Sequence, residues 1–249
     1  MIRPPTEEEI FRFVAGTHEC DRINIPYSHI VGTWNQKQAP DPYAQGHFRA
    51  FMYAMHSLLP GTDFPAKAPE LLNTVNDTEG ALFWLREIHR KIAEPLTKHV
   101  LLEEDPNAPT LFSLGKYRMN QVTAVTKPAP PPEIIPKLMH NWLRDYATFH
   151  HKIKDKVKNP YGIDKDTAIE INSHVYNVNL FFSVVQPMAC LNQRMGRLLE
   201  NIFRLAWCLP MKFYAPSWGD EYRRLIPDLE MYQNEQLPKL LGNLGAVRG

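Results

Sequence analysis

Arg194 and Arg197 follow a polar turn and stand three residues apart where a helical stretch begins, so their side chains share one helix face. The first N–H groups of a helix lack internal partners and the macrodipole is positive there, which makes such a junction an anion site. Each guanidinium donates two parallel hydrogen bonds in the geometry that phosphate oxygens accept. Two of them at a helix start favour a diphosphate. The alternative is structural: both arginines pair with acids such as Glu200. Cys190, just upstream, has two readings as well. It is a nucleophile if Arg194 and the helix start lower its pKa, and otherwise a small core residue. His140, His150, His151 and His174 have no metal-ligand spacing and read as surface or helix-end histidines, so no metal site is expected.

The elements that position these residues are mostly helical. Thr6 and Glu9 make a capping-box pattern that starts a short helix. Residues 16–42 read as loop, closed by Pro40-Asp41-Pro42. A helix over 43–59 stops at Pro60-Gly61, and residues 60–70 are loop again. Asp77 or Thr78 caps a helix marked by Leu82, Leu85, Ile88, Ile92 and Leu96. Residues 115–126 favour short strands through Tyr117, Val122, Val125 and their threonines. The proline run 127–132 is an extended linker into a helix whose apolar stripe is Ile134, Leu138, Trp142 and Phe149. Helices follow over 165–185, from Asn192 or Gln193 to about 208, and over 221–233. Trp84, Trp142 and Trp207 read as core. The expected class is mostly α, a helical bundle with one short β-hairpin.

The 249 residues suit one domain with a small extension. Net charge is +1, with 28 basic against 27 acidic residues, which argues against a nucleic-acid partner. Three widely spaced cysteines, Cys20, Cys190 and Cys208, do not make a disulfide scaffold or a zinc site. No apolar run is long enough to span a bilayer, and the first residues carry no secretory segment. A cytoplasmic protein is expected, or one delivered into the cytosol of a host cell.

The stretch Gln186-Pro187-Met188-Ala189-Cys190-Leu191-Asn192-Gln193-Arg194-Met195-Gly196-Arg197 resembles the signature of the Fic family, His-Pro-Phe-x-Asp/Glu-Gly-Asn-Gly-Arg-x-x-Arg. Residues 81–89 are similar to that family's helix ending in Leu/Ile-His. Leu114-Gly115-Lys116-Tyr117-Arg118 is similar to its "Gly-x-Tyr-Arg" hairpin, and 131–139 to its Pro-Pro-x-x-Ile-x-x-Leu-Met stretch. The resemblance implies a Fic-like helical bundle over 80–214, between an N-terminal helical extension (1–79) and a C-terminal helical segment (215–249). It implies a nucleotide held by Asn192, Gln193, Arg194, Gly196 and Arg197. It also implies a flap, Gly115, Lys116, Tyr117 and Arg118, that lays a target protein beside the site. Tyr27-Ser28-His29-Ile30-Val31-Gly32 resembles the inhibitory Ser-x-x-x-Glu-Gly of some members, with Val31 in place of the glutamate, so that style of self-inhibition is expected to be absent.

The departures fall on the chemistry. Gln186 stands where the family has its general base, whose contribution is on the order of 10²–10⁴-fold, and an amide cannot take a proton. Cys190 stands where the family's acid holds Mg²⁺; a soft thiol suits a hard cation poorly, which puts Mg²⁺ in doubt. Leu191 and Gln193 replace glycines that let backbone approach phosphate. Ordinary AMP transfer from ATP is therefore expected to be impaired. Three functions stay open. One is transfer of another group, for example from a nucleotide-sugar, in which the arginines stabilise the departing diphosphate. Another is a pseudoenzyme that binds a nucleotide or a protein. The last is residual AMP transfer with a base from elsewhere, such as His174.

Overall fold

The computed structural model describes residues 5–21, 23–36, 40–58, 78–98, 113–124, 127–154, 156–157, 163–207, 209–214 and 218–242. Helix α1 (Glu7–Cys20) opens with the expected capping box: the Thr6 hydroxyl accepts from the Glu9 N–H at 3.2 Å, and the Glu9 carboxylate accepts from the Thr6 N–H at 2.7 Å. It runs on to Cys20, and α2 (Tyr27–Trp34) follows, so much of the stretch expected as loop is helical. The cause is tertiary. Phe11 packs edge-on against Tyr27, Trp34 and Phe48, and a few aromatic contacts supply the burial that the local pattern lacked.

Helix α3 (Pro42–Leu58) starts at Asp41, whose carboxylate accepts from the N–H groups of Tyr43 and Ala44 at 3.0 Å. Helix α4 (Thr78–Ala93) runs into a 3-10 turn, Glu94–Lys98. The loop expected over 60–70 and the cap expected at Asp77 lie outside the described residues. Strands β1 (Thr123–Ala124) and β2 (Lys127–Pro128) pair antiparallel, Thr123 opposite Pro128. The hairpin is thus shorter than expected and shifted into the proline run, whose first proline sits in a two-residue edge strand where a missing N–H costs little.

A 3-10 turn (Pro132–Ile134) leads into α5 (Ile135–Lys154). Asp164 caps α6 (Lys165–Val185) by accepting from the Thr167 N–H at 2.9 Å. Then come α7 (Asn192–Ala206), α8 (Trp218–Met231), a π-helical stretch Tyr232–Gln236, and α9 (Leu237–Gly242). The described residues are mostly helical with one two-stranded sheet. No helix among the described residues is long and apolar enough to cross a membrane.

Helices α6 and α7 carry the site and must meet closely. Gly196 permits this, because a Cβ there would lie 3.0 Å from Asn179 Oδ1 and 3.1 Å from Phe182 Cβ. Beside it, the fully buried Glu200 accepts from Asn179 Nδ2 and the Tyr214 hydroxyl, both at 2.9 Å, and pairs with Lys212 at 3.3 Å. Trp142 stacks on Phe181 at 4.8 Å, and Trp84, Trp142 and Trp207 are all buried, as the apolar periodicity indicated.

Candidate functional site

Helix α6 ends because Pro187 cannot continue it. Gln186 takes the left-handed conformation (φ 47°), and Leu191 takes it again (φ 57°) at the N-cap of α7. Both are unfavourable for residues with a Cβ, so the surroundings must hold them. Asn192 does much of this. Its side-chain oxygen accepts from the Met188 N–H at 2.8 Å and its amide donates to the Met188 carbonyl at 2.9 Å. The flap clamps the other side: Arg118 N–H donates to the Pro187 carbonyl at 3.1 Å, and Ala189 N–H to the Lys116 carbonyl at 3.0 Å.

His89 of α4 locks flap and loop together. Its Nδ1 accepts from the Gly115 N–H at 3.0 Å, which leaves Nε2 as the donor to the Cys190 carbonyl at 3.0 Å. Burial pushes this imidazole down to about 4, so it stays neutral. Gly115 has φ 65° and its carbonyl accepts from Arg86 Nε at 2.7 Å. Arg118, expected to meet a target, is buried. Its guanidinium donates to the carbonyls of Gln186 and Asn120, both at 2.8 Å, and also to that of Pro130. It staples the flap to the end of α6, and only Lys116 of the four flap residues is exposed.

A cavity of about 350 Å³ opens between these parts. Gln186, Val122, Asp21 and Arg194 line it, with Cys190 and Gln193 also in the wall. Neither arginine pairs with Glu200. Both hold Asp21, the C-cap of α1: Arg194 Nε donates to one carboxylate oxygen, and Arg197 Nη2 to the other at 2.6 Å. Arg197 Nη2 also reaches the Thr17 carbonyl at 3.2 Å. The Arg194 guanidinium lies over the Tyr43 ring at 5.1 Å. The cradle at the start of α7, expected to receive a phosphate, is in this structure closed by the protein's own carboxylate. Val31 of the inhibitory-like stretch lies in α2 and has no part in this.

One carboxylate does not balance two guanidiniums. Arg194 Nη1 and Arg197 Nε are buried without a hydrogen-bond partner among the described residues. The surplus positive charge is felt nearby. Burial pushes His47 down to about 3, with Arg194 and Arg197 adding to it, and His18 is depressed in the same way. Burial works to raise the Asp21 carboxyl, but Arg197 and Arg194 outweigh it and hold it below the usual range.

The Gln186 amide donates to the Thr123 carbonyl at 3.4 Å. Burial pushes the Cys190 thiol up to about 11, against hydrogen bonding from Ser113 and the charge of Arg194, so it is a thiol rather than a thiolate. The nucleophile reading of Cys190 required the opposite shift. His174, considered as a substitute base, stacks on Phe149 and lines a different cavity. Sequence reasoning missed Asp21. One local signal existed: a carboxylate at the C-terminal end of a helix opposes the macrodipole and needs another reason to be there.

No protein-family model matches this sequence, and no curated protein matches it. Solved structures do resemble the fold. Fic-1 from C. elegans superposes with a TM-score of 0.56 at 15% identity over 98% of this chain and 64% of that one. A Fic domain containing signaling protein from Bacteroides thetaiotaomicron gives 0.54 at 14%, over 90% and 76%. A Fic family protein from Desulfovibrio desulfuricans gives 0.51 at 16%, over 92% and 58%. This chain therefore spans about three fifths of the length of the Desulfovibrio and C. elegans chains.

Proposed function

We propose, from the premise that this chain has the Fic fold, that it binds the diphosphate of a nucleotide at the start of α7 and modifies or regulates a target protein otherwise than by ordinary AMP transfer. The observation that carries this is the Asp21 carboxylate held by Arg194 and Arg197 together, with donors on both guanidiniums left over. A carboxylate stands there for a phosphate oxygen, and a diphosphate brings more charge to the same donors. The helix start adds to them, since α7 has no side-chain cap. For a ligand to enter, Asp21 must give way.

The residues fit the anionic part of a nucleotide, ATP or a nucleotide-sugar. They do not fit Mg²⁺, because the one carboxylate in the described wall of the cavity is already on the arginines and Cys190 is a protonated thiol. A nucleotide-sugar suits what is left. The acceptor oxygen bonds to the sugar carbon, the carbon–oxygen bond to the diphosphate breaks, and its electron pair leaves on the diphosphate oxygen, whose charge the arginines hold. The acceptor proton passes to solvent. The second reading, a catalytically dead module that binds protein, is favoured by the hydrogen bond of Gln186 to Thr123 of β1, since no neutral base lines the described cavity.

A thermal-shift panel of ATP and nucleotide-sugars against wild type, Asp21→Ala and Arg194→Ala tests this. Ligand that binds only the folded form raises the melting temperature. The expected result is a larger shift for Asp21→Ala than for wild type and none for Arg194→Ala. No shift in Asp21→Ala with any phosphorylated compound overturns the nucleotide reading. A shift without transfer to any acceptor leaves the regulatory form of it.

A further inference from the structure

A second cavity, of about 190 Å³, lies away from the signature loop and has no role in the reading above. Trp142 and Tyr146 of α5 stand a helical turn apart and form one wall. Tyr232 forms another. It begins the π-helical stretch Tyr232–Gln236, a rare conformation that is found mostly at functional sites. All three aromatic residues are buried.

Two acceptors converge on this aromatic space. Asp145 lies on the same face of α5, exposed at the mouth, and forms no hydrogen bond or ion pair with a described residue. It sits close enough to raise the Tyr232 hydroxyl, which burial already pushes up. Inside, His174 stacks on Phe149 and sits tilted against Tyr146, and its buried Nε2 has no hydrogen-bond partner among the described residues. Burial drives this imidazole down to about 4, so it is neutral and one of its ring nitrogens carries no proton and can accept. Lys239 stands at the rim, against Gln236 Oε1 at 3.5 Å.

We infer that this cavity binds a small organic cation with N–H donors, a guanidinium or alkylammonium group, stacked on Trp142 and Tyr232 and donating to Asp145 and His174. Aromatic faces attract cations, and a planar guanidinium stacks while donating in plane to a carboxylate. An anion would meet aromatic walls and the Asp145 charge, and an uncharged apolar ligand would leave both acceptors unanswered. The inference stands apart from the nucleotide site, since it uses none of its residues.

Titration of the full chain with methylguanidinium, followed by nuclear magnetic resonance at the Trp142 indole, tests it. N-methylurea is the neutral control and acetate the anionic one. Methylguanidinium is expected to bind while both controls do not. Asp145→Asn, a same-shape change at an exposed position, should weaken binding about tenfold. Lys239→Ala should tighten it by roughly twofold, because a rim cation is removed. The tripeptide Gly-Arg-Gly separates the sources: tighter binding than methylguanidinium assigns the cation to a protein side chain, equal binding to a free small molecule. No perturbation by methylguanidinium, equal affinity in Asp145→Asn, or preference for acetate overturns the inference.

Discussion

The two halves of the signature segment behave differently. In residues 186–191 the chain is a loop with two left-handed residues, and among those lining the cavity Gln186 is an amide and Cys190 a protonated thiol, where the resembled motif has a histidine and an acid. In residues 192–197 the chain is helix, and Asn192, Arg194, Gly196 and Arg197 keep the motif's pattern. These four are buried, and each has a packing duty: Asn192 closes the loop, Gly196 admits α6, and the arginines tether α1. The retained residues are those the fold needs whether or not a nucleotide binds. Motif retention here therefore testifies to architecture first, and only the surplus donors on the arginines point beyond it.

Acid should separate the halves most strongly. His47 backs the arginines and His89 backs the loop, depressed from 6.5 to about 3 and about 4. Between those values the unfolded chain binds protons that the folded chain refuses, so stability is unaffected above 6.5 and falls as pH drops toward 4. Urea midpoints across that range should show it, and His89→Gln should flatten part of the slope. A flat profile in the wild type contradicts the buried neutral state. Next, Arg197→Ala should cost about 3 kcal/mol, because Asp21 loses a buried partner, whereas Gln186→Ala should cost about 0.5. Equal costs measured by denaturant unfolding would erase the distinction between the halves.

Asn192→Ala should cost about 2 kcal/mol by leaving the Met188 N–H and carbonyl unanswered. At Leu191 the effect is smaller. Glycine there relieves roughly 1 kcal/mol of left-handed strain while losing side-chain packing, so Leu191→Gly should melt near the wild type and above Leu191→Ala. Gln186→His with Cys190→Asp should change stability by about 1 kcal/mol or less. In that double variant, labelling from ATP and Mg²⁺ should need Asp21→Ala as well. Labelling with Asp21 intact would mean that the carboxylate does not guard the arginines.

Much of the helical frame was legible. The capping residue Thr6 and the stop at Pro187 are local signals, and α6 begins and ends where the pattern indicated. Helix α2 was not legible, because its burial comes from Phe11 and Phe48 on other helices. The flap's place was legible from Gly115 and Tyr117, but the fate of Arg118 was not. A buried arginine that serves carbonyls and an exposed one that serves a target have the same one-dimensional surroundings.

By itself the sequence determined where several helices start and stop, that two arginines share a face at the beginning of α7, and that an amide at Gln186 cannot take a proton and a thiol at Cys190 suits a hard cation poorly. These follow from side-chain chemistry and helical period, which act over a few residues. Only the tertiary structure decided which anion the arginines hold. Asp21 reaches them because α1 ends against α7, and an ion pair between residues so distant in the chain depends on how the helices between them pack.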